Sequence, residues 1–363
     1  MDLNLEFWRS EGKTFFQRFR HWADILDPLL LLASNEKIDN AKILLLNKGE
    51  KVTESLQDKK LKEAWQLNLS SVHPGSGDTI PIALRPPAFL PLTAPLVVAT
   101  SLLHRGNTQT FIWQYLFHSY IGGFTLANGN YSGTEASDDA TKKTFPYKQL
   151  LVSIGAITYS ACMGTLPHYL MLRYKPQSPS IQFLFRNVIP GPLTAILCAF
   201  NVTVIRSVEF ENGIKVMDSK GKVVGVSQRA GEKAVKETAL SRALLFGTAI
   251  CIPDFMLHFL KRTSTALRNP FVWTPVRSIM MVSVLGAMIP VSFSLVPQVG
   301  KIQRNELEPE IISTTEETEF FYNSVFQLFV TSSTSPLQSS LSAVVAPSSF
   351  KVKPVTPVLL KSR

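Results

Sequence analysis

Apolar positions gather in long blocks instead of recurring at the spacing of a soluble amphipathic helix or a half-buried strand. Uncharged runs cover Pro86–His104 (19 residues), Gly106–Thr134 (29), Gln149–Leu172 (24), Asn187–Ile205 (19) and Ser278–Gly300 (23). About 18 mostly apolar residues suffice for a helix to cross a bilayer core of about 30 Å. The pattern predicts membrane spans near 88–104, 149–172, 187–205, 243–260 and 278–298. Pro91 and Pro95 predict a kink in the first, and Asp254, just after Pro253, is the sole acidic residue in an apolar run. Segment 108–127 is uncharged but carries Gln109, Gln114, His118, Ser119 and Gly122-Gly123, so it fits either a full span or a re-entrant, polar-lined segment.

Outside these blocks the periodicity changes. Residues 1–86 read as a helical soluble region. Phe7, Trp8, Phe15, Phe19 and Trp22 recur at helical spacing while Arg9, Lys13, Arg18 and Arg20 fall mostly elsewhere, which predicts an interfacial or docking helix. Ser34 predicts the cap of a second helix, and a third is expected from about Ser55 to Leu69. Within the polar loop 206–242, Ile214, Val216, Val223, Val224 and Val226 flank Asp218-Ser219-Lys220-Gly221, a β-hairpin signal; a helix from about Ser227 should lead into the next span. The membrane domain is thus 87–300, and 301–363 forms a tail expected to be disordered after about residue 323. The fold class is an all-α polytopic membrane protein, with about five transmembrane helices, one re-entrant or polar segment, a helical N-terminal region and a small β-hairpin.

Composition agrees with a bilayer as the main partner. Charged residues make up 18% of the 363, below the roughly 25% of a soluble domain, and three cysteines cannot staple a chain of this size. The net charge of +10 raises the question of nucleic acid, but its distribution argues against it. Residues 1–85 hold 12 basic and 12 acidic side chains, whereas Arg173–Arg186 has three basic and no acidic residues and Lys261–Arg277 four and none. Short basic loops without acids follow the positive-inside rule. With five spans, omitting 108–127, the N-terminus shares a side with both loops; with six it lies opposite. The rule favours five, with the tail on the other side. The N-terminus has no apolar h-region, and Glu6 and Glu11 spoil a mitochondrial transit peptide.

No catalytic constellation or cofactor motif is visible, and no metal site is expected. Cys162, Cys198 and Cys251 stand singly, without a Cys-x-x-Cys pair, and read as small buried hydrophobes. Polar groups at membrane depth carry more information, since each must be paired or line a wet cavity. Asp254 is either a substrate-contacting carboxylate or the partner of an arginine such as Arg242, or it is interfacial. Gln114 and His118, one turn apart, either face a cavity or bond across helices. With Ser119 and Asn128 these are the substrate-lining candidates.

Several blocks resemble sideroflexins. His73-Pro74-Gly75-Ser76-Gly77-Asp78 is similar to the His-Pro-Asp-Thr-Gly-Glu signature preceding their membrane region. Trp113-Gln114-Tyr115, with Ser119 and Asn128, resembles a remnant of their Trp-Gln-Trp-x-Asn-Gln-Ser block. Asn201 with Arg206, Gly213-Ile214, Ala230-Gly231, Ser241-Arg242 and Phe293 to Gln298, including Pro297, follow in family order, so the resemblance covers roughly residues 7–322. It implies a multi-pass protein of the mitochondrial inner membrane, N-terminus in the matrix, with a possible small amino acid as cargo. The departures matter as much. The family's Asn-Gln pair falls on Phe117-His118 and a further Asn on Ile121. Each lost hydrogen bond to a desolvated substrate group costs roughly 1–3 kcal/mol. These departures resemble a divergent vertebrate branch associated with assembly of respiratory complex I, which implies complex I assembly intermediates or assembly factors as partners and an indirect influence on iron homeostasis. Two function classes stay open: an assembly protein, or a carrier of an amino acid such as serine. An enzyme is not expected.

Overall fold

The computed structural model describes residues 7–8, 12–46, 54–73, 77–102, 106–129, 147–263, 270–312 and 317–324. The expected disorder after residue 323 falls, from residue 325 onward, outside them, as does Pro74.

Three helices precede the bundle. Helix α1 (Phe15–Ile25) starts at Thr14, which forms a reciprocal capping box with Gln17. Its buried face is Arg18, Trp22 and Ile25, so the aromatic stripe from Phe7 does not continue as one helix; Phe16 is exposed and Phe15 and Phe19 only half-buried. Arg18, expected on the polar face, is drawn inward because its Nε donates to the carbonyl of Ser294 (2.9 Å) near a helix end, where carbonyls lack intrahelical partners. Helices α2 (Asn35–Leu46) and α3 (Glu54–Ser71) pack through Ala41, Leu45, Ala64 and Trp65.

Six helices build the bundle: α4 (Phe89–Ser101), α5 (Asn107–Ala127), α6 (Tyr147–Tyr174), α7 (Pro190–Ile205), α8 (Gln228–Thr263) and α9 (Pro270–Leu295). Four segments are long and apolar enough to cross a membrane: Lys148–Tyr174, Pro179–Ile205, Gln228–Leu260 and Phe271–Leu295. Pro86–Ser101 is a shorter apolar helix. The polar segment is an unbroken helix of 21 residues, about 32 Å at 1.5 Å per residue. It packs on α4, α6 and α7.

A four-stranded antiparallel sheet sits at one end of the bundle. Strands β1 (Ile214–Met217) and β2 (Val223–Ser227) form the hairpin, closed by Asp218, whose side chain accepts from the N–H groups of Lys220 and Lys222, and by Gly221 at φ 80°. Strands β3 (Val299–Gln303) and β4 (Glu319–Asn323) complete it in the order β2-β1-β4-β3. Val216, Ile302, Phe320 and Tyr322 pack on Ala230 and Ala234 of α8.

Helix directions follow from specific contacts. Phe89 lies beside Phe293 (5.7 Å between ring centres), while the carbonyl of Ser101 accepts from Arg277, so α4 runs antiparallel along α9 from the sheet end to the far end. Helix α5 returns: Asn128, just past its last residue, donates to the carbonyl of Leu84 (2.9 Å). The described residues before Pro86 and the C-terminal strands therefore share the sheet end, held by Trp22 on Phe293 and by β4 on β1. The described residues of the basic segments Arg173–Arg186 and Lys261–Arg277 lie at the far end, mostly within helices. Charge counting placed the N-terminal region with those loops. Residues 1–85 are charge-balanced, and α5, which that count omitted, is a continuous helix of 21 residues.

Candidate functional site

Among the described residues, four clusters of polar side chains join separate elements of the fold. At the far end Asp254 of α8 is buried and held by Arg277 of α9, through Nε to Oδ1 (2.6 Å) and Nη2 to Oδ2 (3.0 Å). The third donor, Nη1, caps the carbonyl of Ser101 (2.5 Å). One bidentate pair thus ties α8, α9 and the end of α4 together. The partner of Asp254 is Arg277, not Arg242: the last apolar run opens on that arginine, and the two helices run antiparallel.

Midway along, α5 is buried on two sides. His118, with no solvent exposure, accepts at Nδ1 from the Asn201 amide (2.8 Å), which assigns its proton to Nε2. Asn201 Oδ1 accepts in turn from the Ser160 hydroxyl (3.0 Å). Gln114, one turn before His118, rests its amide against Gly164 of α6. Gln114 and His118 do share a face, but it is a helix–helix seam. His118 Nε2 is buried with no partner among the described residues. On the other side Phe117 meets Phe246 of α8 edge-on (5.1 Å), and Ile121 is buried with it. Ser119 is half-buried and belongs to neither seam.

At the sheet end Arg206 follows α7 and binds Glu209 through two hydrogen bonds (2.5 and 2.6 Å), the Thr238 hydroxyl (2.6 Å) and the carbonyl of Ser324 (3.2 Å). Ser241 and Ser292 exchange hydroxyl-to-carbonyl bonds of 2.7 and 2.9 Å between α8 and α9. Next to Ser241, Arg242 is buried with its guanidinium over Phe293 (4.1 Å), Phe89 (5.4 Å) and Phe124 (5.8 Å). It has no carboxylate partner among the described residues, and Nη1 has no acceptor. Ring faces attract a desolvated cation by about 2 kcal/mol each, which offsets part of the cost of burying the charge. Pro297 ends α9, exposed; Gln298 is buried and its carbonyl accepts from the Ser324 N–H (3.0 Å).

The fourth cluster latches the N-terminal region to α5. His73 Nε2 donates to the carbonyl of Gly129 (3.1 Å), and its N–H bonds the carbonyl of Asp78 (2.8 Å). Burial lowers the His73 pKa, while the Gly129 hydrogen bond and nearby Asp78 oppose the shift. Asn128 donates to Leu84 and Phe124 carbonyls, so it closes α5 and lines no passage.

Sequence reading missed Arg277, Ser160, Glu209, Thr238 and Ser292. Only the Arg206-x-x-Glu209 spacing was readable in advance, as an i,i+3 pair. Among the described residues, His, Cys, Asp and Glu form no group of three able to hold a metal ion. Cys198 is buried, but Cys162 is exposed on the bundle surface, unlike the expected buried hydrophobe.

Comparison with known proteins supplies what geometry does not. The sideroflexin family pattern matches residues 2–325. The chain is 44% identical over 323 residues to Sideroflexin-4 of Danio rerio, covering 89% of this chain and 99% of that protein. It is 36% identical over 320 residues to Sideroflexin-4 of Homo sapiens (88% and 91%) and 28% identical over 316 residues to Sideroflexin-5 of Homo sapiens (87% and 90%). No solved structure matches the chain.

Proposed function

The chain belongs to the sideroflexin family, and from that premise we propose that it is an inner mitochondrial membrane protein that supports assembly of respiratory complex I and does not carry serine. The observation carrying this reading is the α5 seam. Phe117 and Ile121, where the family resemblance places amides, are buried against α8 and neighbouring helices. An apolar seam of this kind offers no partners to an amino acid's ammonium and carboxylate away from water. Any effect on iron homeostasis is indirect and passes through the complex I role. The basic loops at the far end favour a matrix-facing position by the positive-inside rule, which puts residues 1–85 and the C-terminal strands in the intermembrane space.

A second reading is supported by Arg242. A buried guanidinium without a carboxylate suits a carrier whose solute brings its own carboxylate. Isolation of the tagged protein from gently solubilised mitochondria separates the two. The assembly reading predicts co-purified complex I intermediates and a complex I deficit in cells lacking the protein; normal complex I levels without it would contradict that reading.

A further inference from the structure

We infer that the outer face of α1 and the turn Pro28–Leu32 form a docking surface for the anionic headgroup layer of the bilayer at the sheet end. This rests on the membrane-embedded fold and is independent of whether the protein assembles complexes or carries solutes. Phe16, Leu29 and Leu32 are 79%, 69% and 83% exposed, unusual values for large apolar side chains on a folded helix and turn. Their level is fixed by two attachments. Arg18 and Trp22 anchor α1 on the end of α9, at Ser294 and Phe293. The turn Pro28–Leu32 packs beside Pro86–Ala88, the lead-in to α4. Helix α1 therefore bridges the ends of two bundle helices where their uncharged runs meet the polar end. The exposed Leu29 and Leu32 thus belong to a turn beside the lead-in to α4, and the occupant is the bilayer that surrounds the bundle.

Charge selects the kind of bilayer. Arg20, four residues after Phe16, is exposed on the same side of α1, Lys13 is exposed just before the helix, and neither has an acidic partner among the described residues. The nearby Asp24 is engaged by Lys62 (3.3 Å), and the Asp27 side chain accepts the N–H of Leu29. An aromatic apolar face flanked by cations without an acidic partner among the described residues is the chemistry of an interfacial helix on phosphate-bearing lipids.

The test uses the full chain in nanodiscs, with Cys162, Cys198 and Cys251 replaced by Ala and an environment-sensitive fluorophore on Leu32→Cys. Glu63→Cys, on the exposed side of α3, reports the aqueous reference. In nanodiscs containing an anionic phospholipid, emission at position 32 is expected to shift to the blue of position 63 and to be quenched by headgroup-level nitroxide lipids. The shift should shrink in phosphatidylcholine alone, and Lys13→Glu with Arg20→Glu should remove the difference between the two lipids. Emission at position 32 equal to that at position 63 overturns the proposal, because no partner protein is present to restore it. A shift indifferent to lipid charge overturns it as well. Amide exchange at residues 28–33 of the unmodified chain, slower in anionic than in neutral nanodiscs, gives the same answer should the cysteine-free variant fail to fold.

Discussion

Asp254 and Arg277 illustrate how much one residue decides and how little its type discloses. An acid in an apolar run announces a partner but not which one, because the choice depends on helix direction. Removing either member leaves a buried charge and should cost about 3–5 kcal/mol, whereas Asp254→Leu with Arg277→Met should recover most of that loss. Thermal unfolding in detergent micelles checks it: each single variant melts well below the double. His73 gives a pH signature of the opposite kind. Its pKa is lowered in the folded chain, so the unfolded chain takes up the proton first as pH falls. The stability it contributes is present above its ordinary value of 6.5 and is lost below it. Acidifying from about pH 7.5 to about pH 5.5 should lower the melting temperature of the natural chain more than that of His73→Gln. Gln114 and His118 were readable as a pair from their i,i+4 spacing. Their partners Gly164 and Asn201 were not, because nothing local specifies which helices meet α5.

Elements were legible in proportion to how locally they are determined. The cap at Ser34, the Asp218–Gly221 turn and the long apolar helices rest on neighbours in sequence. Strands β3 and β4 do not. Strand β4 pairs with β1 across about 105 residues and β3 joins the sheet only through β4, and Glu-Phe-Phe-Tyr-Asn has no alternation to declare a strand. The choice between a span and a re-entrant turn for 108–127 was equally non-local: Asn201 of α7 binds His118 and Gly164 of α6 receives Gln114, contacts that no neighbour in sequence specifies. Crossing of the bilayer by all six bundle helices would have a direct consequence. A tag before Met1 and a tag inserted after Ser324 should lie on the same face of the membrane. Protease added to mitoplasts should remove both; removal of one with protection of the other would mean an odd number of crossings.

Across the whole molecule, polar contacts are spent on joining elements. Arg277 binds α4 to α8 and α9, Asn201 binds α5 to α6 and α7, Arg206 binds α7 to α8 and the last strand, and His73 binds the N-terminal region to α5. Arg242 stands apart, caged by three rings from α4, α5 and α9 without a counter-charge among the described residues. The packing of Phe117 on Phe246 closes the seam between α5 and α8, and the proposed absence of serine transport rests on that seam. Uptake of labelled L-serine by proteoliposomes containing the purified chain tests that claim most directly. Uptake no greater than in protein-free liposomes is predicted, and saturable uptake that Arg242→Gln abolishes would contradict it.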